Sequence, residues 1–265
     1  FTSLSSSTYE IVFTPPNDYY GTTTITINAG AIQDDLGNSN TQTKTIVLNI
    51  DTISPTLSSF THDHGDQVVK GSDTVVFTAT FTESMTSSPR ILIPGDLADQ
   101  GEAMTATTSS VWTYSWDVPN AKNGDFTATV TGTDLFGNYY SGTDSLTFRI
   151  DNVSPTLTIT KPDGTYSNQS VVVTLTYSEA VTGLTTDTND FSEAINVSSL
   201  TLLSASDDGT TYTVLITPTG DGLVKLTHAP GSPPVRDIAG NTISSTVSCS
   251  FIYDGSPPTI NQITS

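Results

Sequence analysis

Asp51-Thr-Ile-Ser-Pro-Thr-Leu57 returns as Asp151-Asn-Val-Ser-Pro-Thr-Leu157, and again as Asp254-Gly-Ser-Pro-Pro-Thr-Ile260. A second signature precedes each copy: Asp34 with Gly37-Asn38, Asp134 with Gly137-Asn138, and Asp237 with Gly240-Asn241. Successive copies lie about a hundred residues apart, the size of a domain and too long for a solenoid repeat. The chain therefore reads as a string of similar β domains.

The rest of the chain keeps that frame. One constant offset, without a gap, carries Tyr9-Glu-Ile-Val-Phe-Thr-Pro15 onto Tyr212-Thr-Val-Leu-Ile-Thr-Pro218 and Asp18 onto Asp221. It also carries Asp34 onto Asp237 and Asp51 onto Asp254. Residues 1–50 then correspond to the second half of a unit like residues 151–253. Residues 51–150 form another full unit, and residues 254–265 open a further one. On this reading the sequence is a window from a longer array. The missing half of the first unit comes from upstream in the same chain, or from an identical chain that donates strands to the open edge.

Within the units, Val75, Phe77, Ala79 and Phe81 alternate with more polar residues, as do Val171, Val173, Leu175 and Tyr177. The last strand of each unit repeats the pattern in Ile46/Leu48/Ile50, Leu146/Phe148/Ile150 and Cys249/Phe251/Tyr253. Period-two alternation marks a strand with one buried face. Cys249 reads as a small buried hydrophobe, and as the single cysteine it forms no intrachain disulfide. Gly, Asn, Asp and Pro punctuate the segments at hairpin spacing. About seven short strands per hundred residues predict an all-β fold of immunoglobulin-like sandwiches arranged end to end.

Charge narrows the partners. The 265 residues carry 27 acidic and 8 basic side chains, a net charge of −19. Such a surface repels nucleic acid and anionic membranes and attracts cations. No apolar run reaches the roughly 18 residues that span a bilayer.

The Asp-x-x-Ser-Pro-Thr opening, Phe-Thr-Glu83 or Tyr-Ser-Glu179, and the closing Asp-x-x-Gly-Asn together resemble bacterial Ig-like repeats of large secreted or surface-anchored proteins. Tyr177-Ser-Glu-Ala-Val-Thr-Gly183 with Asp237-Ile-Ala-Gly-Asn241 is the closest match. The resemblance implies an extracellular or cell-surface setting and a role as spacer, stalk or adhesive module. Partners are then neighbouring repeats of the same chain, with a glycan, a cell-surface protein or identical chains in a fibre as further candidates. The resemblance covers nearly the whole chain, although the middle unit has a shorter body and a Trp-rich strand.

In a seven-strand sandwich, the linker, the loop after the second strand and the hairpin before the last strand meet at one end. That brings Asp51, Glu83, Asp134 and Asn138 to one junction, and Asp151, Glu179, Asp237 and Asn241 to the next. Calcium takes six to eight oxygen ligands in flexible geometry, so these side chains are candidate metal ligands. Asp-x-x-Gly-Asn has a second reading as a turn alone, with Asp bonding its own backbone and Gly or Asn at positive φ. A bound ion would stiffen the joint, and its loss would leave bent, protease-sensitive chains.

Other candidates are weaker. Trp112, Tyr114 and Trp116 alternate on one strand, a spacing suited to stacking sugar rings and equally suited to a core. His62-Asp63-His64 offers two imidazoles, too few for a zinc site. His228 reads as structural. The sequons at Asn152, Asn168 and Asn196 read mainly as chance matches in a Ser-rich chain. No nucleophile elbow, phosphate loop or dinucleotide fingerprint is present, so the expectation is a non-enzyme. An accessory region of a larger secreted enzyme stays open as an alternative.

Overall fold

In a computed structural model, residues 2–5, 7–161, 166–185, 191–229 and 235–262 are described. The end of the segment expected to open a further unit, 263–265, lies outside them. All regular structure in the described residues is strand. In chain order the strands are β1 (Thr2–Ser3), β2 (Tyr9–Glu10), β3 (Tyr20–Ile27), β4 (Lys44–Asp51), β5 (Leu57–His62), β6 (Val68–Val69) and β7 (Thr74–Phe81). Next come β8 (Arg90–Leu92), β9 (Glu102–Ala103), β10 (Thr105–Ala106), β11 (Val111–Asp117), β12 (Gly124–Thr131) and β13 (Ser145–Ile150). The remainder are β14 (Leu157–Thr160), β15 (Tyr166–Ser167), β16 (Val171–Tyr177), β17 (Glu193–Ile195), β18 (Val197–Ala205), β19 (Thr211–Pro218), β20 (Gly222–His228) and β21 (Val247–Tyr253).

The chain divides into two compact units. One holds Phe1–Asp63, Val75–Trp116 and Phe126–Thr147; the other holds His64–Thr74, Asp117–Asp125 and Phe148–Ser265. In the first, β10, β11, β7 and β5 form one sheet. The expected alternation on β7 buries Val75, Phe77, Ala79 and Phe81. Phe77 packs on Trp116 with ring centroids 6.1 Å apart, and Phe81 meets Tyr140 edge-on at 5.8 Å. Each large side chain buried this way contributes about 1.5–3 kcal/mol.

The β3–β4 pair of this unit has one apolar face, with Ile25 opposite Ile46 and Thr23 opposite Leu48. Ile46 nevertheless stays 61% exposed. Ile50 on the same face is buried, so alternation here marks an apolar face that is covered at one end of the strand and open at the other.

In the second unit, sheets β14–β16–β19–β18 and β15–β21–β20–β17 enclose one core. Leu175, Ile216, Val224 and Leu226 lie at its centre, fully buried, and Cys249 belongs to it. Burial pushes the Cys249 thiol pKa up, in keeping with its reading as a small hydrophobe. Short strands after the linkers pair in parallel with a final strand: Val68 with Arg149, and Tyr166 with Ile252. Gln67, at φ 60, bends the chain into β6.

Candidate metal centre

Three positions build each site. Asp51 is the last residue of β4, and Glu83 lies two residues beyond the end of β7. The backbone after β7 is held by Thr82 N–H on Thr56 O (2.9 Å) and by Thr56 N–H on Thr82 Oγ1 (3.1 Å). An isolated bridge between Met85 and Asp134 brings the third acid alongside. The second unit repeats this construction. Asp151 follows β13, Glu179 lies two residues past β16, and a bridge between Thr182 and Arg236 delivers Asp237. In both places one carboxylate oxygen from each residue lies within 4.8 Å of the others: Asp51, Glu83, Asp134, and Asp151, Glu179, Asp237. The convergence expected of these six acids is present.

Asp134 is fully buried and Asp237 nearly so. Their surroundings come from the turn. Asp134 Oδ1 accepts the backbone N–H groups of Phe136 (2.7 Å) and Asn138 (2.9 Å), and Oδ2 accepts Asn138 Nδ2 (2.7 Å). Asp237 accepts the backbone N–H and Nδ2 of Asn241 at 2.8 and 2.9 Å. Gly137 and Gly240, at φ 94 and 83, close the loop. Asp34 makes the same ring with Leu36 and Asn38 at 2.8–3.0 Å, fully exposed and in neither acidic group. The motif is therefore a self-sufficient turn, and the clustered acids are an addition to it.

Asn138 and Asn241 were expected among the ligands, and in the structure their amide nitrogens hold the turn and the linker. Asn138 Nδ2 donates to Asp134 Oδ2 and to the carbonyl of Asp51 (3.1 Å); Asn241 Nδ2 donates to Asp237 Oδ2 and to the carbonyl of Asp151 (2.8 Å). An amide nitrogen with this role holds the acid and the linker in place, and Oδ1 of the same side chain is the atom that could serve a metal.

Titration follows from the crowding. Burial raises the Glu83 pKa, and Asp51 and Asp134 raise it further; burial, Asp237 and Asp151 do the same to Glu179, against a lowering by Arg149. Burial pushes Asp134 up as well, but the Asn138, Phe136 and Gly137 donors outweigh it and leave the group below its ordinary value. A carboxylate has about four lone-pair positions, and the Asn138, Phe136 and Gly137 donors engage most of those on Asp134.

The two sites differ in their charged neighbours. Arg149 Nε lies 4.0 Å from Asp151 Oδ2, and Lys70 Nζ donates to the Gly240 carbonyl at 2.6 Å. At the first site, a cleft of about 510 Å³ walled by Tyr20, Ile53, Leu135 and Phe136 opens onto Asp51 and Glu83.

Sequence reading missed a set of ties on the residue after each linker Asp. Thr52 Oγ1 accepts Tyr19 N–H (2.9 Å) and donates to Pro16 O (2.9 Å). Asn152 Nδ2 donates to Pro119 O (3.2 Å) and Lys122 O (2.8 Å), and its Oδ1 accepts Gly71 N–H (2.6 Å). Gly255 N–H donates to Asp221 Oδ1 (2.7 Å). The aligned positions were visible in the repeat; their long-range partners were not. These bonds also engage the side chain of the Asn152 sequon.

The weaker candidates resolve into structure. Trp112 and Trp116 are buried, and Trp116 Nε1 donates to Asp96 Oδ2 at 2.7 Å, so neither indole offers a face to a sugar. Tyr114 is half-buried on the same strand. His62 meets Phe77 edge-on, while His64 Nε2 lies 3.9 Å from Asp73 Oδ2. His228 is buried against Phe191.

Residues 151–253 match the family model described as a bacterial Ig-like domain. Among solved structures, the chain is similar to a tetra-tandem repeat in the extending region of a large adhesion protein, at 17% identity and a TM-score of 0.30. That alignment covers 89% of this chain, which spans 57% of the adhesion-protein structure. The titin domains z1z2 in complex with telethonin align at 12% identity and a TM-score of 0.26, covering 79% of this chain and 100% of that one. Comparison with curated proteins returns no match. The described residues are all-β, and residues 151–253 are similar to a bacterial Ig-like domain.

Proposed function

We propose that this chain is a structural segment of an extracellular, adhesin-type repeat protein, with Ig-like units in series and calcium at each junction. The observation that carries this reading is recurrence: the chain twice gathers two aspartates and a glutamate with one oxygen of each within 4.8 Å of the others. The donors suit a hard cation, since all are carboxylate oxygens and neither group contains His or Cys. Asp51, Glu83 and Asp134 would hold one ion, and Asp151, Glu179 and Asp237 the other. When bound, calcium supplies positive charge that offsets mutual repulsion among the acids. Asn138 and Asn241 meanwhile hold the buried Asp and the linker carbonyl. The role is mechanical rather than catalytic, and the partners are neighbouring repeats of the same chain.

Calorimetric titration with calcium tests the reading. Two sites are expected, in the roughly 0.1–1 mM range of extracellular modules. Asp134→Ala and Asp237→Ala should each remove one. Absence of binding heat at millimolar calcium defeats the proposal.

A further inference from the structure

Asn123-Gly124 is the only Asn-Gly pair in the sequence. Asn123 is exposed in the loop between β11 and β12. Gly124 has no side chain to shield its backbone nitrogen, and the space where a Cβ would stand is open. Asn123 Oδ1 accepts the backbone N–H of Asn152 at 2.7 Å. That donor sits where negative charge develops if a nucleophile attacks Cγ, at the distance effective for stabilising an oxyanion.

We propose that Asn123 is a self-deamidating modification site, activated by the Asn152 backbone N–H. The Gly124 nitrogen attacks Asn123 Cγ and loses its proton. The new N–Cγ bond closes a five-membered succinimide, the Cγ–Nδ2 bond breaks, and Nδ2 leaves as ammonia. Water then opens either ring carbonyl, giving aspartate or isoaspartate, with no oxidant or further reactant. Asparagines in other settings lack this combination. Asn38, Asn138 and Asn241 are followed by residues with side chains, and their Nδ2 groups are held by a carboxylate.

The site has a structural consequence because its loop also supplies Pro119 O and Lys122 O to Asn152. Aspartate at 123 keeps an acceptor for the Asn152 N–H. Isoaspartate lengthens the main chain by one methylene and withdraws that acceptor, so it loosens the hold on the linker.

The test is peptide mapping by mass spectrometry during incubation of the intact chain in mildly alkaline buffer, against a synthetic peptide spanning residues 117–127. Because the loop is exposed, the N–H donor is expected to accelerate conversion at Asn123 by about tenfold, less than a fully enclosed oxyanion donor achieves. Any acceleration in the folded chain supports the assignment. Conversion equal to or slower than in the peptide overturns it. Asn123→Gln, which would have to close a six-membered ring, should abolish the mass gain at this loop; its persistence would place the modification elsewhere.

Discussion

Asn138→Ala separates the role given to this amide from the role of a metal ligand. The substitution removes two hydrogen bonds, from Nδ2 to Asp134 Oδ2 at 2.7 Å and to Asp51 O at 3.1 Å, and leaves the backbone bond to Asp134 intact. A bond to a charged group contributes about 1.5–3 kcal/mol and a neutral one about 0.5–1.5 kcal/mol. Asn138 is half-buried, so water replaces part of the loss. Asp134 is fully buried, so its Oδ2 regains little. The balance is a destabilisation of about 2 kcal/mol, or roughly 10 °C in Tm for a domain of this size. Urea unfolding in calcium-free buffer measures it. A change below about 0.5 kcal/mol, the level of an ordinary surface substitution, refutes the positioning role. Asn138→Asp sharpens the test by placing a second negative charge beside Asp134. At 4 Å and an effective dielectric of about 20, that repulsion is on the order of 4 kcal/mol. The aspartate variant should therefore be less stable than the alanine variant without calcium. If Asn138 were a ligand through Oδ1, the aspartate variant would instead bind calcium more tightly.

Further outcomes follow from other features. Glu83 and Glu179 have pKa values raised above the ordinary 4.5, so the folded chain holds their protons more tightly than the unfolded chain. In chelator, their contribution to stability is fully present below pH 4.5 and is lost as pH rises through the raised values. Thermal melts with and without calcium should converge below that pH and separate above it; a constant separation would contradict the account. Gly137→Ala places a Cβ in open space but at φ 94, so it should cost about 1 kcal/mol from backbone strain alone, read by thermal melting. Leu175→Ala, at a fully buried position of the second core, should cost about 2–5 kcal/mol in urea unfolding without removing calcium binding at the first site.

Much of the architecture was legible because alternation and turn chemistry are local. Val75, Phe77, Ala79 and Phe81 declared their face, and Asp134 with Gly137-Asn138 declared a tight turn. The convergence of Asp51, Glu83 and Asp134 was legible from topology, since strand number and hairpin order decide which loops share an end. Other features were beyond that reading. The letter Asn does not say whether the amide nitrogen or oxygen faces the buried acid, so the bond from Asn138 Nδ2 to Asp134 left no signal in the sequence. Alternation also tells which face of a strand is apolar, not what covers it, as exposed Ile46 shows. Lys70 on the Gly240 carbonyl joins residues far apart in sequence and leaves no local pattern.

The hydrogen bonds and the acids answer different physical demands. Thr52 and Asn152 tie each linker back to the loop before it, and Asn138 and Asn241 take hold of the preceding Asp carbonyl from the other side. Those bonds are neutral or internally compensated, so they fix geometry whether or not a cation is present. The acids contribute the opposite sign of energy. Charges within 4.8 Å of one another repel by roughly 3–4 kcal/mol per pair at an effective dielectric of about 20. Protonation of Glu83 relieves that repulsion in acid, and hydrogen bonds shield Asp134, but at neutral pH neither offsets all three charges. Arg149 supplies part of the missing charge at Asp151. The first site has the cleft instead, which opens onto Asp51 and Glu83. The amides thus fix the geometry of each acidic group, and the crowded charges are the part that a bound cation would relieve.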